Sequence, residues 1–151
     1  MSARPLVIGY GNTLRRDDGV GVRVAELLAA DGRVAGVDVL TVHQLTPELA
    51  LDVGGASFVV FVDADPSVEP GAVEVRPLVL GVGTTEEPGA SSHRVGILEL
   101  LGLARELTGG APDAVAVAVG VADLELGEGL TPAVEAALPG IAERVRGLLA
   151  G

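Results

Sequence analysis

Cysteine is missing from this chain, which excludes disulfides and thiolate chemistry and leaves cysteine usage silent about compartment. Lysine is missing as well, and a P-loop needs one to reach the nucleotide phosphates. Aromatic residues make up only 2% of the chain, so a core must be assembled from Val, Leu, Ala and Ile. That composition suits a Val-rich parallel sheet covered by Leu/Ala helices. Positive charge is scarce: 10 basic residues stand against 21 acidic ones, a net charge of −11. That balance disfavours nucleic acid, and no nucleic-acid partner is expected, because neutralising phosphates requires a basic patch. No apolar run reaches the ~18–20 residues that cross a bilayer. The stretch after Arg4 is also too short for a signal peptide, so no membrane association and a cytoplasmic location are expected.

What is present points to one folded domain spanning residues 1–151. Hydrophobic content of 48% rules out a disordered chain, and the length is enough to bury a core. The chain is organised around its opening stretch. Apolar Leu6 to Ile8 breaks on Gly9-Tyr-Gly11, a sharp exit from a sheet. Asn12, the only asparagine, follows, and asparagine tolerates left-handed turns. Two adjacent carboxylates, Asp17 and Asp18, precede Val20, Val24, Leu27 and Leu28 at helical spacing, so a helix is predicted to begin near Asp18 or Gly19. A dinucleotide fingerprint fails here, since Leu14 stands where its third glycine belongs. One aspartate could cap the helix, but a cap leaves the second unexplained.

Further along, residues 37–42 read as a second strand and Phe58-Val-Val-Phe-Val62 as the strongest buried strand. The link from Asp63-Ala-Asp65-Pro66 to a strand at 72–78 is turn-like and too short for a helical crossover. An antiparallel hairpin at a sheet edge is predicted there. Residues 80–92 read as a mobile surface loop, and Ser92-His93-Arg94 introduces a helix with Ile97, Leu100, Leu101 and Ala104 on one face. A buried strand at 114–121 follows, then a last helix with a stripe of Val134, Leu138, Ile141, Val145 and Leu148. The predicted architecture is a three-layer α/β/α domain with a mixed, mostly parallel five-stranded sheet.

Three side chains stand out in that frame. Asp18 follows the first strand and Asp63 ends the Phe58 strand, so both should project into one crevice at the carboxyl edge of the sheet. His93 heads the helix after the loop and could sit over that crevice. Two carboxylates and an imidazole form an incomplete, open donor set for a borderline divalent ion such as nickel or zinc. Plainer roles compete: Asp18 as a helix cap, Asp63 as a turn former, His93 as a cap or surface contact. His43, the other histidine, is expected to be a loop residue at a strand end.

Gly9-Tyr-Gly-Asn-Thr-Leu-Arg-Arg-Asp-Asp-Gly-Val-Gly21 resembles the opening motif of the [NiFe]-hydrogenase maturation endopeptidases. Val60-Phe-Val-Asp-Ala64 is similar to that family's Asp-Ala strand end, and Ser92-His-Arg-Val-Gly96 to its Ser/Pro-His-x-x-Gly motif. The stretch Gly120 to Val134 is similar to the segment before the family's final helix. This resemblance implies an endopeptidase that removes the C-terminal extension of a hydrogenase large-subunit precursor after nickel insertion. It also implies that Asp18, Asp63 and His93 form the metal and catalytic set, with nickel supplied by the substrate and other divalent ions able to substitute. Asp18 is a methylene shorter than the glutamate found in some members, and His43-Gln44-Leu45 replaces glycines common elsewhere. With no cysteine, and no serine in a Gly-x-Ser-x-Gly elbow, a covalent nucleophile is not expected. A metal route and an aspartic-type pair of Asp18 and Asp63 both stay open, as does a non-catalytic nickel-binding or chaperone role. A small acidic enzyme meeting a large folded partner needs no self-association, so a monomer is expected.

Overall fold

A computed structural model of the chain describes residues 3–79, 92–110 and 112–150, with the side chains of 92–95 outside that set. Five strands form one sheet: β1 (Leu6–Tyr10), β2 (Asp38–Val42), β3 (Phe58–Asp65), β4 (Val73–Leu78) and β5 (Asp113–Gly120). Their spatial order is β2-β1-β3-β5-β4, parallel throughout except where β4 runs antiparallel to β5. The central strands β1, β3 and β5 are covered on both faces, which is why their sequences are nearly unbroken apolar runs. Edge strands β2 and β4 carry exposed Asp38, Thr41, Glu74 and Pro77 instead. Pro77 lacks an N–H to donate and fits only such an edge.

The mixed sheet and the edge position of β4 agree with the sequence reading, but the predicted hairpin does not form. β4 pairs with β5, not with β3, and β5 lies between them. Loop length limits how far a chain can reach without naming its neighbour. The link is long enough to step over one strand position of about 4.8 Å and reach the next. The end of β5 is then stitched into that link, with the Gly71 N–H donating to the Gly120 carbonyl and the Gly120 N–H to that of Ala72, at 3.0 and 2.8 Å.

Helices α1 (Val20–Ala30) and α4 (Pro132–Ala150) cover one face, packing Val20, Val24, Leu28, Val134, Leu138, Ile141 and Val145 onto Val7, Val60, Val62, Val117 and Val119. Helices α2 (Leu49–Gly54) and α3 (Ser92–Thr108) cover the other, against Leu6, Ile8, Val59, Phe61, Ala114 and Ala116. Alternation along each strand divides the residues this way, because successive side chains point to opposite faces. The result is three layers. Among the described residues no helix is long and apolar enough to cross a membrane.

Chain order reverses beside β1: β2 is laid on one side of it, and β3, β5 and β4 on the other. Open α/β sheets place their ligands at the carboxyl ends of the strands flanking such a switch, here β1 and β3.

Just beyond, Asp65 closes β3. Its carboxylate accepts the Ser67 hydroxyl at 2.7 Å, the Ser67 amide at 2.9 Å and an Arg76 guanidinium N–H at 2.8 Å. Burial pushes this carboxyl up, but the donations from Ser67 and Arg76 outweigh it and hold it below its ordinary value. A folded value below the unfolded one, about 3.9, adds stability above that pH and loses it as pH falls through the folded value. The melting temperature should therefore be flat above about pH 5 and drop on further acidification. Asp65→Asn should melt lower at pH 7 and show a shallower acid limb in melts at pH 3, 5 and 7. An unchanged limb would remove Asp65 as a source of acid lability.

Candidate active site

The turn out of β1 is built by backbone conformation first. Gly11 adopts φ +148°, and a Cβ on it would collide with the Asp18 carbonyl oxygen, so only glycine closes this turn. Its N–H donates to the Val42 carbonyl at the end of β2, at 3.2 Å. The Asn12 side-chain oxygen accepts the Leu14 N–H at 2.9 Å, folding the next residues back. The Asn12 backbone N–H donates to Asp18 Oδ2 at 2.7 Å. Asp18 sits in a 3-10 turn, Arg16–Gly19, immediately before α1. Gly19 occupies the cap position of α1 with no side-chain cap bond, so neither aspartate is the helix cap that the sequence suggested.

The two aspartates divide their work differently. Asp17 is wholly buried and points away from the turn into the segment before α4. It accepts the amides of Ala122 at 2.8 Å, Asp123 at 3.1 Å and Thr131 at 2.7 Å, and the Thr131 hydroxyl at 2.8 Å. Burial pushes the Asp17 carboxyl up, and these donations more than reverse it, so it stays ionised below the usual carboxylate range. Asp18 is only half-buried. The bond from Asn12 engages its Oδ2 alone.

Asp63 lies inside β3, not at its end: the strand runs on to Asp65, and Asp63 pairs with Ala118 of β5. It is therefore no turn former. It is 9% exposed and shares its face of the sheet with Tyr10. The register pairs Gly9 with Val62, so Tyr10 and Asp63 are the next residues of adjacent strands. Burial pushes the Tyr10 hydroxyl far above its ordinary value, reinforced by the Asp63 charge, a hydrogen bond to Asp63 and the Asp18 charge. Both carboxylates thus act on one phenol, and the 3-10 turn that carries Asp18 lies against β3. Sequence reasoning did not single out Tyr10. The available signal was the sole tyrosine of the chain, set between two glycines at a strand end.

His93 falls in the first turn of α3, and its side chain lies outside the described residues. One turn further along α3, Ile97 lines a narrow cleft together with Asp63, Asp65, Arg76 and Leu78. The helix that carries His93 therefore packs over the face where Asp63 stands. The loop expected before it also lies outside the described residues, at 80–91. His43 is exposed just past β2, next to the Val42 carbonyl that receives Gly11, at the same sheet edge. Among the described residues no three His, Asp or Glu side chains are grouped to hold a metal ion. Two carboxylates beside a buried phenol can contribute oxygen donors to a divalent cation or share a proton around a water.

No family model and no curated relative matches the chain. Solved structures do. The hydrogenase maturating endopeptidase HybD from E. coli is 29% identical, with a TM-score of 0.80 over 97% of this chain and 92% of that one. An endopeptidase from Escherichia coli is 30% identical, covering 94% and 89% of the two chains with a TM-score of 0.75. The [NiFe] hydrogenase maturation protease HybD from Thermococcus kodakarensis is 26% identical over 97% and 99%, with a TM-score of 0.77.

Proposed function

Because this chain belongs to the [NiFe]-hydrogenase maturation endopeptidase family, we propose that it removes the C-terminal extension of a hydrogenase large-subunit precursor once nickel has been inserted, recognising that nickel through Asp18, Asp63 and His93. The observation that carries this reading is the placing of Asp63 beside Tyr10 on adjacent strands, with the turn that bears Asp18 against β3, at the β1/β3 switch point. Nickel held in the precursor is here part of the substrate. Carboxylate oxygens and an imidazole nitrogen suit a borderline divalent ion. Engaging the metal would bring the scissile bond into register with the crevice, where the ion can polarise its carbonyl or activate a water. Precursor without nickel would lack that anchor and stay uncut.

A second route is favoured by the same placing: Asp18 and Asp63 sharing a proton around a water, as an aspartic-type pair. His93→Ala separates the two, abolishing cleavage in the metal route and sparing much of it in the dyad route. The decisive measurement is the intact mass of a cognate precursor after incubation with the protein, in nickel-loaded and nickel-free forms. Loss of one C-terminal peptide from the loaded form alone is the expected result. Loss from both would leave a protease working through its carboxylates, and complex formation without loss would indicate a chaperone.

A further inference from the structure

We propose that Asp17 is a positioning residue for cleavage: by clasping segment 122–131 to the β1–α1 turn, it holds the neighbouring Asp18 carboxylate where the substrate meets it. The proposal rests on Asp18 contacting the substrate, as above.

Asp17 is a fully buried carboxylate that the chemistry itself does not use. Among the described residues, the four donations to its carboxylate come from positions more than a hundred residues away in sequence. The clasp does not end there. The Asp17 N–H donates to the Asp123 carbonyl and the Arg16 N–H to that of Gly127, both at 3.0 Å. The Gly127 N–H returns to the Leu14 carbonyl at 2.9 Å, and Arg15 Nε donates to the Leu124 carbonyl at 3.1 Å. Arg16 is held at φ +46°, the only positive φ outside glycine among the described residues. Such a conformation persists only where the surroundings over-determine it. Asp18 follows directly, with its N–H donating to Arg15 and its carboxylate accepting Asn12, so its position depends on the same turn. A turn this constrained far exceeds what a connection between a strand and a helix requires. Fixed placement is what a carboxylate that must meet a scissile bond needs, since small displacements cost rate steeply.

The test uses the full chain and nickel-loaded precursor, with kcat and KM measured separately. Asp17→Asn puts an NH₂ among backbone N–H donors and should cost kcat most. Thr131→Val keeps the side-chain shape and removes one of the four donations. It should lower kcat about tenfold with KM within about twofold, because docking of a large precursor is left intact. Thr131→Ser restores the hydroxyl and should recover most of the rate. Wild-type kcat in folded Thr131→Val, with Asp17→Asn showing only a lower melting temperature, would overturn the proposal and leave Asp17 a purely structural residue. Should Asp17→Asn fail to fold, the Thr131 pair decides alone. A wild-type chain that cuts neither precursor form would instead overturn the reading on which the proposal stands.

Discussion

Asp63→Asn should slow precursor cleavage by at least about 10²-fold while leaving the protein folded. The substitution is isosteric and removes only the negative charge. That charge lies on β3 at 9% exposure and acts on the Tyr10 hydroxyl beside it. At such a site a charge acts more strongly than in water, because little solvent screens it. Both proposed routes consume it, either as a donor to the precursor's nickel or as half of a proton-sharing pair. The asparagine oxygen can still accept from the Tyr10 hydroxyl, so that contact survives the substitution. The melting temperature should accordingly stay close to that of the wild type as the rate collapses. Initial rates on nickel-loaded precursor, paired with thermal melts of the same preparation, check both halves. A variant retaining more than about a tenth of the wild-type rate would remove Asp63 from the chemistry.

Gly21→Ala should damage the fold and the site together. The first turn of α1 lies directly on the sheet, with its backbone against β1 and β3. A Cβ at Gly21 would stand within van der Waals radii of the Val62 carbonyl oxygen and 3.0 Å from that of Tyr10. Opposite it, a Cβ at Gly9 would strike the Gly21 carbonyl. Rigid backbone lines both sides of this contact, so relief requires α1 to lift off the sheet. Overpacking of this kind costs about 1–3 kcal/mol, or about 3–10 °C in melting temperature for a chain of this size. The lift also displaces the turn bearing Asp18 relative to Asp63 on β3, so cleavage should fall further than the loss of stability explains. Gly32→Ala is the control: no atom lies near the added methyl, and its melt should match or slightly exceed that of the wild type. Equal melts for the two variants would refute the close contact.

Much of this protein is determined locally and was legible in its residues. Phe58 to Val62 could only be a buried strand, and the stripes of α3 and α4 repeat at helical spacing, so type and burial followed from periodicity alone. That the ends of β1 and β3 lie side by side was legible too, because parallel strands bring their carboxyl ends to one edge. Tertiary structure decided the rest. The partner of β4 depended on β5 claiming the place beside β3, a competition that a loop's length does not record. Asp17 looked like a helix cap and became a clasp because its donors, at Ala122, Asp123 and Thr131, are distant in sequence and adjacent only after folding. Tyr10 acquired its place in the site by lying next to Asp63 on a neighbouring strand. Periodicity and turn chemistry act over a few residues, so sequence sets the elements, whereas hydrogen bonds and charges act through space, and only the assembled sheet determines which of them meet.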